Sequence, residues 1–344
     1  MVKIFRGDEF IDRDNEIEFL KNKFKSLPSR ILWIYGPKST GKTTLIEYIV
    51  ENELLKDKSL NVKYINFRRK TIYNYDSFLD AVLEEKDEER ETELNRSYNL
   101  GMFKLEAKTL KKYKENKINL FDYLVEEFKG KKNILIIDEI QILEDIYMSE
   151  EKLLLNEFLN FCVALTKEMH LAHIVILTSN TIFLEKIYNN AKLKKTSEFR
   201  LIKHLDYKII EEWLKIKNFK EDEIKLIYEY LGGCIADIKK LIDNLQYSKS
   251  LEEYLKFEAI MSRSEIEIFI EQNQLSDEEI KQLSFVFDTI LKEKQFSHSK
   301  YKGYLKIVAK LCEIEILFYD PVVNITYVNS EIYKKAYELM KENQ

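Results

Sequence analysis

Short apolar runs separated by amphipathic stretches fill the first 205 residues of the chain. The runs are rich in Ile and Val and only a few residues long, as is typical of strands in a parallel sheet that helices cover on both faces. Such strands are predicted for ILWIY (31–35), VKYINF (62–67), ILII (134–137) and HIVIL (173–177). Amphipathic helices are predicted for 43–55 and 151–169. Alternating strands and helices predict an α/β fold with a parallel sheet.

The pattern becomes helical after residue 206. Apolar residues recur there at a spacing of three and four, which predicts a small all-helical domain. The predicted helices of this part are 207–217, 221–231 and 236–246.

A third pattern begins near residue 273. Segment 276–294 is predicted to be a helix capped by Ser276, because acidic residues fill its first turn. A second helix at 304–314 and a hairpin that turns at Asp320-Pro321 follow. This order predicts a winged-helix domain.

Composition restricts the classes of protein to which the chain can belong. The 344 residues carry a net charge of −5, and 45% of them are hydrophobic. No apolar run reaches the roughly 20 residues that a membrane helix needs, and MVKIFRGDEF is not a signal peptide. Three widely separated cysteines predict a reducing compartment, without disulfides or a zinc site. We therefore expect a cytoplasmic protein with no membrane partner.

The stretch YGPKSTGKTT carries the complete pattern G-x-x-x-x-G-K-T between a predicted strand and a predicted helix. Backbone N–H groups at such a helix N-terminus attract phosphate, and glycines allow the backbone to approach it closely. Lys42 is predicted to reach the β- and γ-phosphates of ATP, and Thr43 to ligate Mg²⁺. The predicted nucleotide contacts are Gly36, Pro37, Lys38, Ser39, Thr40, Gly41, Lys42, Thr43 and Thr44.

Hydrolysis of ATP needs further groups at the ends of neighbouring strands. Asp138 follows a buried apolar run and is predicted to hold Mg²⁺, while Glu139 polarises the attacking water. Asn180, or as a second choice Ser179, follows the next strand and could sense the γ-phosphate. For the last pair a plain strand-to-loop turn is an equally good interpretation.

The order of these motifs resembles archaeal-type P-loop ATPases of the AAA+ and STAND superfamily. The resemblance rests on FIDRDNEIEFL (10–20), YGPKSTGKTTLI (35–46), ILIIDEIQ (134–141), TSN (178–180), SEFRLIKHL (197–205) and YLGGCIADIKKLI (230–242). It implies an αβα nucleotide-binding core at 1–205, a helical lid at 206–272 and a winged helix at 273–344.

The resemblance also implies roles for two arginines. Arg13, in a box with Asp12 and Glu16, falls beside the adenine end of the nucleotide. Arg200 falls after the last core strand, as a candidate contact of the γ-phosphate in cis or an arginine finger in trans; an ordinary surface arginine is the alternative. Gly232-Gly233 matches the family's double-glycine turn, although Ile235 stands where a proline is common.

Two charged segments leave alternatives open. Residues 76–118 form a charge-dense insertion, either a solvated helix face or an arm that docks a partner. Near the C-terminus a single acid, Glu293, accompanies six lysines, with aromatic residues between them. This segment could bind duplex DNA, or it could belong to a winged helix that packs only on protein. The six lysines are Lys292, Lys294, Lys300, Lys302, Lys306 and Lys310.

Three functions remain open at this stage. The first is a Mg²⁺-dependent switch ATPase that couples nucleotide state to a winged helix binding DNA or protein. The second is a DNA-binding module in which the nucleotide is structural. The third is an ATP-dependent assembly or signalling platform that engages a protein client or further copies of the chain.

Overall fold

A computed structural model describes residues 2–85, 103–105, 120–149, 152–247 and 250–342. The strands are β1 (Val2–Phe5), β2 (Asp8–Ile11), β3 (Ile31–Tyr35), β4 (Leu60–Asn66), β5 (Leu83–Glu85), β6 (Phe103–Leu105), β7 (Lys132–Asp138), β8 (Tyr147–Ser149), β9 (Lys152–Leu153), β10 (Ala172–Thr178), β11 (Ser197–Leu201), β12 (Phe296–Ser297), β13 (Leu317–Asp320) and β14 (Ile325–Val328).

The helices are α1 (Asp14–Lys25), α2 (Lys42–Ile49), α3 (Tyr75–Val82), α4 (Leu120–Glu127), α5 (Leu154–Val163), α6 (Thr181–Asn189), α7 (Ala191–Thr196), α8 (Tyr207–Ile216), α9 (Glu221–Leu231), α10 (Ile235–Asn244), α11 (Leu251–Gln272), α12 (Asp277–Glu293), α13 (Leu305–Glu313) and α14 (Ile332–Glu342). Helices α2 and α5 each continue into a π-helical turn, Val50–Leu54 and Ala164–Glu168. Short 3₁₀ segments are Phe67–Arg69, Ile140–Leu143 and Leu245–Tyr247.

A five-stranded parallel sheet forms the centre of the core, in the order β11-β3-β10-β7-β4. All of its strands therefore end at the same edge. The chain adds β11 on one side of β3 and the other strands on the opposite side, so the strand order reverses beside β3. Open α/β sheets bind ligands at such a reversal.

Alternate residues of the buried strands face two apolar layers. Ile34 packs with α1 and α2, whereas Trp33 packs with Phe183 of α6 and Phe199 of β11 on the opposite face. Burial on both faces explains why these strands are nearly continuous apolar runs in the sequence. Strands β3, β4, β7 and β10 confirm the sequence prediction within two residues at each end.

Helices α8 to α11 form the helical domain around Trp213, which is fully buried with Ile224, Leu241 and Leu255. This domain meets the core where the backbones of Leu205 and Gly233 come into close contact. The Leu205 amide donates to the Gly233 carbonyl, and a Cβ at residue 233 would lie 1.8 Å from the Leu205 carbonyl oxygen. Glycine is therefore required at this position.

The C-terminal domain has the order helix, short strand, helix, hairpin and helix, and its sheet runs β12-β14-β13. Ser276 caps α12 as expected, because its Oγ accepts from the Glu279 amide. The structure thus confirms the predicted class: an α/β core with a parallel sheet, a small helical domain and a C-terminal domain with the element order of a winged helix. Among the described residues, no helix is both long and apolar enough to cross a bilayer.

Several elements differ from the sequence prediction. The antiparallel pair β1 and β2 was not predicted, since both strands are short and half-exposed. Helix α5 begins at Leu154 rather than 151, after the short strand β9. Most of the charge-dense insertion, 86–102 and 106–119, lies outside the described residues.

Candidate nucleotide site

Residues 36–41 join β3 to the first turn of α2, so the loop lies where the strand order reverses. Gly36 has φ 154°, and a Cβ there would lie 2.1 Å from the Ile202 carbonyl oxygen. Gly41 precedes α2 in the left-handed region, with φ 80°. Both glycines of the motif are therefore required by the backbone, one by a close approach and the other by its conformation.

Lys42 is buried inside the loop that precedes it. Its Nζ donates to the carbonyl oxygens of Gly36 and Pro37, at 2.9 and 2.8 Å, and lies 3.4 Å from Thr40 Oγ1. Burial lowers the pKa of Lys42 to about 8, although Asp138 and Glu139 oppose this change. The ammonium is thus held by neutral oxygens at the place where phosphate oxygens would offer it a stronger partner.

Thr43 and Asp138 meet across the first turn of α2 and the end of β7. Thr43 Oγ1 donates to Asp138 Oδ2 at 2.8 Å, and Asn66 Nδ2 lies 3.4 Å from the same oxygen. Burial raises the pKa of Asp138 to about 6, with Glu139 adding to the shift and the Thr43 hydrogen bond opposing it. A hydroxyl and a carboxylate fit Mg²⁺, which takes one or two protein oxygens and completes its shell with phosphates and water.

Glu139 lies just beyond β7 in the left-handed region, with φ 62°. It forms an ion pair with Arg68, which follows β4, and it accepts a hydrogen bond from Gln141 Nε2. Gln141 Oε1 in turn accepts from Thr178 Oγ1 at 3.3 Å, at the end of β10. Sequence reasoning missed Arg68, Gln141 and Thr178; for Thr178 the signal was a polar residue at the end of a buried run.

Asn180 does not take part in the hydrogen bonds around Glu139 but caps a helix. Its Oδ1 accepts from the Phe183 amide at 2.9 Å and so caps α6, and its side chain is exposed. Thr178 is buried and lies opposite Tyr35 in the sheet. The contact of Asn180 with a γ-phosphate therefore stays a prediction, and Thr178 is the polar group that this strand places beside Glu139.

Arg200 lies within the last core strand, β11, and not after it as the family resemblance implied. Its guanidinium is exposed and stacks over the Phe19 ring of α1, 4.7 Å from the ring centroid. Within the described residues it forms no ion pair with Asp138 or Glu139. Strand β11 lies at the edge of the sheet, where one side of the strand is exposed. A polar side chain such as that of Arg200 is therefore tolerated within this strand.

Arg13 supports the loop from behind. It is 5% exposed, and its guanidinium donates to the carbonyl oxygens of Thr40 and Lys203, at 2.7 and 2.9 Å, and to Glu16. Burial lowers the pKa of Arg13. The predicted role beside the nucleotide stays a prediction, and the contact that the structure gives is with the loop backbone.

A cavity of about 240 Å³ continues from the loop toward the helical domain. Its walls come from β2, the phosphate loop and α10, and they are mainly apolar. The residues include Phe10, Ile11, Thr44, Ile235 and Ala236. An apolar cleft that adjoins the phosphate loop suits the base and ribose of a nucleotide. Ile235, in the place of the family's proline, is the first residue of α10 and lines this cavity.

The winged-helix domain touches the phosphate loop directly, which the sequence did not reveal. Asn329 Oδ1 accepts from the Lys38 amide at 3.2 Å, and Lys38 Nζ forms an ion pair with Glu315 at 2.6 Å. Just before the loop, Tyr35 donates to the buried carboxylate of Asp320 at 3.0 Å. The loop that would hold the phosphates is thus also a contact surface of the C-terminal domain.

Residues 10–241 match the sequence profile of an ATPase domain that occurs predominantly in Archaea. The chain belongs to this family of archaeal P-loop ATPases. Over most of its length it is also similar to "Uncharacterized ATP-binding protein MJ1076" of Methanocaldococcus jannaschii, with 33% identity over 323 residues, 92% of this chain and 94% of that protein. "Uncharacterized ATP-binding protein MJECL26" of the same organism is 34% identical over 328 residues, 92% and 93% of the two chains.

Among solved structures, the Aeropyrum pernix ORC2 protein in its ADPNP–ADP complexes is similar at a TM-score of 0.47 and 14% identity, covering 96% of this chain and 94% of that one.

Proposed function

We propose that this archaeal ATPase is a Mg²⁺-dependent ATP hydrolase whose nucleotide state controls the docking of its winged-helix domain. The observation that carries the proposal is the double engagement of Lys38. Its backbone amide belongs to the loop that would cradle phosphates, and it donates to Asn329 of the winged-helix domain. A phosphate that takes this amide would release the C-terminal domain from the loop.

The chemistry follows from the groups at the strand ends. Lys42 would turn from the Gly36 and Pro37 carbonyls to the β- and γ-phosphate oxygens. Mg²⁺, held by Thr43 and Asp138, would supply neutralisation of phosphate charge. Glu139 would orient water and accept its proton as the oxygen attacks the γ-phosphorus and ADP departs. Arg68 pairs with Glu139 in the structure, so we expect this ion pair to open before Glu139 accepts the proton of the water.

The two contacts of Lys38 with the C-terminal domain are each modest in energy, and they stand beside the buried Tyr35–Asp320 hydrogen bond and the packing of Phe318 against the core. Releasing Asn329 gives up one hydrogen bond to a neutral amide, about 0.5–1.5 kcal/mol, and the exposed Lys38–Glu315 pair contributes about 0–1 kcal/mol. A difference of this size in the affinity of ATP for the two arrangements suffices to displace the two Lys38 contacts, and the Tyr35–Asp320 hydrogen bond adds a further cost to release of the whole domain.

We further propose that the released domain binds duplex DNA. Two of the six lysines are used internally, since Lys300 pairs with Glu293 and Lys310 with Glu279. The other four are exposed and form no ion pair within the described residues, which leaves them for phosphates. These are Lys292, Lys294, Lys302 and Lys306.

A protein-assembly platform is the second candidate function. It is favoured by Arg200, whose guanidinium is exposed on the edge strand β11 and therefore accessible to a neighbouring copy or client protein. In this case the winged helix would report nucleotide state to protein and not to DNA.

The test is ATP turnover with Mg²⁺ in wild-type protein and the Glu139→Gln variant, with and without duplex DNA, at several salt concentrations. Turnover that the variant lacks and that DNA alters supports the switch with a DNA output. Turnover without a DNA effect at any salt concentration rejects DNA and favours the assembly platform. Tight ATP binding with equal inertness of both proteins rejects the hydrolase and favours a structural nucleotide.

A further inference from the structure

A second cavity, of about 550 Å³, lies at the end of the sheet where the strands begin. It is bounded by the end of α1 and by the segments that lead into β4, β7 and β10. The phosphate loop follows the opposite end of β3, so the sheet separates the two sites. This cavity falls within the size range of small-molecule sites, about 300–1,000 Å³.

The floor of the cavity is apolar and its rim is cationic. The apolar part includes Phe24, Leu54, Leu60 and Ile134. The basic part consists of Lys21, Lys25, Lys131, Lys132, His170 and His173.

Two of the four lysines on this rim have an acidic neighbour in the lining, because Lys21 lies beside Glu53 and Lys132 interacts electrostatically with Asp57. Lys21 forms an ion pair with Glu53 at 2.7 Å. Lys25, Lys131 and Lys132 form no ion pair within the described residues, and Asp57 is the other acid of the lining. The rim therefore keeps a local excess of positive charge on a chain whose total charge is −5. A local excess of this kind attracts anions over about a Debye length, roughly 10 Å.

The two imidazoles of the lining are each held by a backbone carbonyl group. His170 Nδ1 lies 2.6 Å from the Pro28 carbonyl oxygen, and His173 Nε2 lies 2.9 Å from the Ser26 carbonyl oxygen. A carbonyl only accepts, so each of these nitrogens must carry the hydrogen. This fixes the tautomer of both rings in their neutral form, whose other nitrogen is then an acceptor, so an acidic group would be bound by the lysines and not by the imidazoles.

We propose that this cavity, at the end of the sheet opposite the phosphate loop, binds a small organic anion with an apolar body and one acidic group. The apolar part would cover Phe24, Leu60 and Ile134, and the acidic group would lie among Lys25, Lys131 and Lys132. The site is independent of ATP, because no residue of the phosphate loop lines it.

The probe for this site is 8-anilinonaphthalene-1-sulfonate, an organic anion with two aromatic systems, whose fluorescence rises on binding. Wild-type protein is first saturated with Mg²⁺ and a non-hydrolysable ATP analogue, so that the probe cannot enter the nucleotide site. We expect saturable binding with one probe molecule per chain. N-phenyl-1-naphthylamine, which has the same rings without the sulfonate, should bind at least tenfold more weakly.

The test variant is Lys25→Glu with Lys132→Glu, and the matched control is Lys208→Glu with Lys281→Glu, two exposed lysines far from the lining. The test variant should lose at least tenfold in affinity for the sulfonate, and the control less than twofold, with nucleotide affinity unchanged in both. Equal losses in both variants, equal affinity for the uncharged analogue, or binding without saturation would each overturn the proposal.

Discussion

Replacing Asp138 by Asn should stabilise the protein without nucleotide and abolish its response to ATP with Mg²⁺. In the folded chain, burial raises the pKa of Asp138 to about 6, from its ordinary value of 3.8. A carboxyl group with a raised pKa keeps its proton up to a higher pH in the folded state than in the unfolded state. Its ionisation therefore costs stability as the pH rises from about 4 to 6. The shift of about two units corresponds to about 3 kcal/mol above that range.

The magnitude depends on pH in a defined way. At pH 7.5 the ionisation of Asp138 costs the folded state the full amount of about 3 kcal/mol, whereas at pH 4.5 it costs only about 1 kcal/mol. Asp138→Asn removes the ionisable group and keeps an oxygen that can accept from Thr43 Oγ1. Its advantage in the free energy of unfolding should therefore fall by about 2 kcal/mol between the two pH values.

The assay is urea unfolding followed by tryptophan fluorescence in a Trp213→Phe background. The other tryptophan, Trp33, is buried in β3 beside the loop and reports on the sheet. Asp145→Asn is the matched control, since Asp145 is an exposed acid seven residues further along the chain. Adding Mg²⁺ with an ATP analogue should stabilise wild-type protein more than the variant. Equal stability of variant and wild type at pH 7.5 would refute the reasoning.

Three further predictions concern the loop and the winged helix. Gly36→Ala should lower ATP affinity at least a hundredfold in a fluorescent-nucleotide titration, because the new Cβ would collide with the Ile202 carbonyl. The control Gly130→Ala places its Cβ in open space and should leave ATP affinity unchanged. Asn329→Ala frees the Lys38 amide and should raise ATP affinity about 2- to 13-fold, the equivalent of one hydrogen bond, and unchanged affinity would contradict the coupling. Removing exposed lysines should reduce the salt dependence of duplex binding. The slope of log binding constant against log salt concentration, from electrophoretic or anisotropy titrations, should become shallower by about 0.9 for each lost phosphate contact. An unchanged slope would exclude these lysines from the DNA interface. The lysines to replace by Ala are Lys292, Lys302 and Lys306.

The parts of the fold that could be predicted from sequence are those with local signals. Strands β3, β7 and β10 are buried on both faces and so read as apolar runs. The glycines of the loop are fixed by local backbone demands, and Asp138 follows directly from its position at a strand end.

The contacts that could not be predicted join residues far apart in the chain. Glu139 meets Arg68, 71 positions earlier, because β4 and β7 are adjacent in the sheet. The pairing of Lys38 with Asn329 spans 291 positions and depends on how two domains dock. Arg200 was misplaced because an edge strand carries a weak apolar pattern, so its limits are hard to locate.

The long separation between Lys38 and Asn329 also has a consequence for biosynthesis. Ribosomes add about 5–20 residues per second, so roughly 15–60 s pass between the emergence of the two residues. During that interval the nascent loop lacks its C-terminal partner, and the amide of Lys38 is open to cellular nucleotide. The newly made core therefore meets ATP first, and under the proposed competition Asn329 gains the Lys38 amide only when phosphate leaves it.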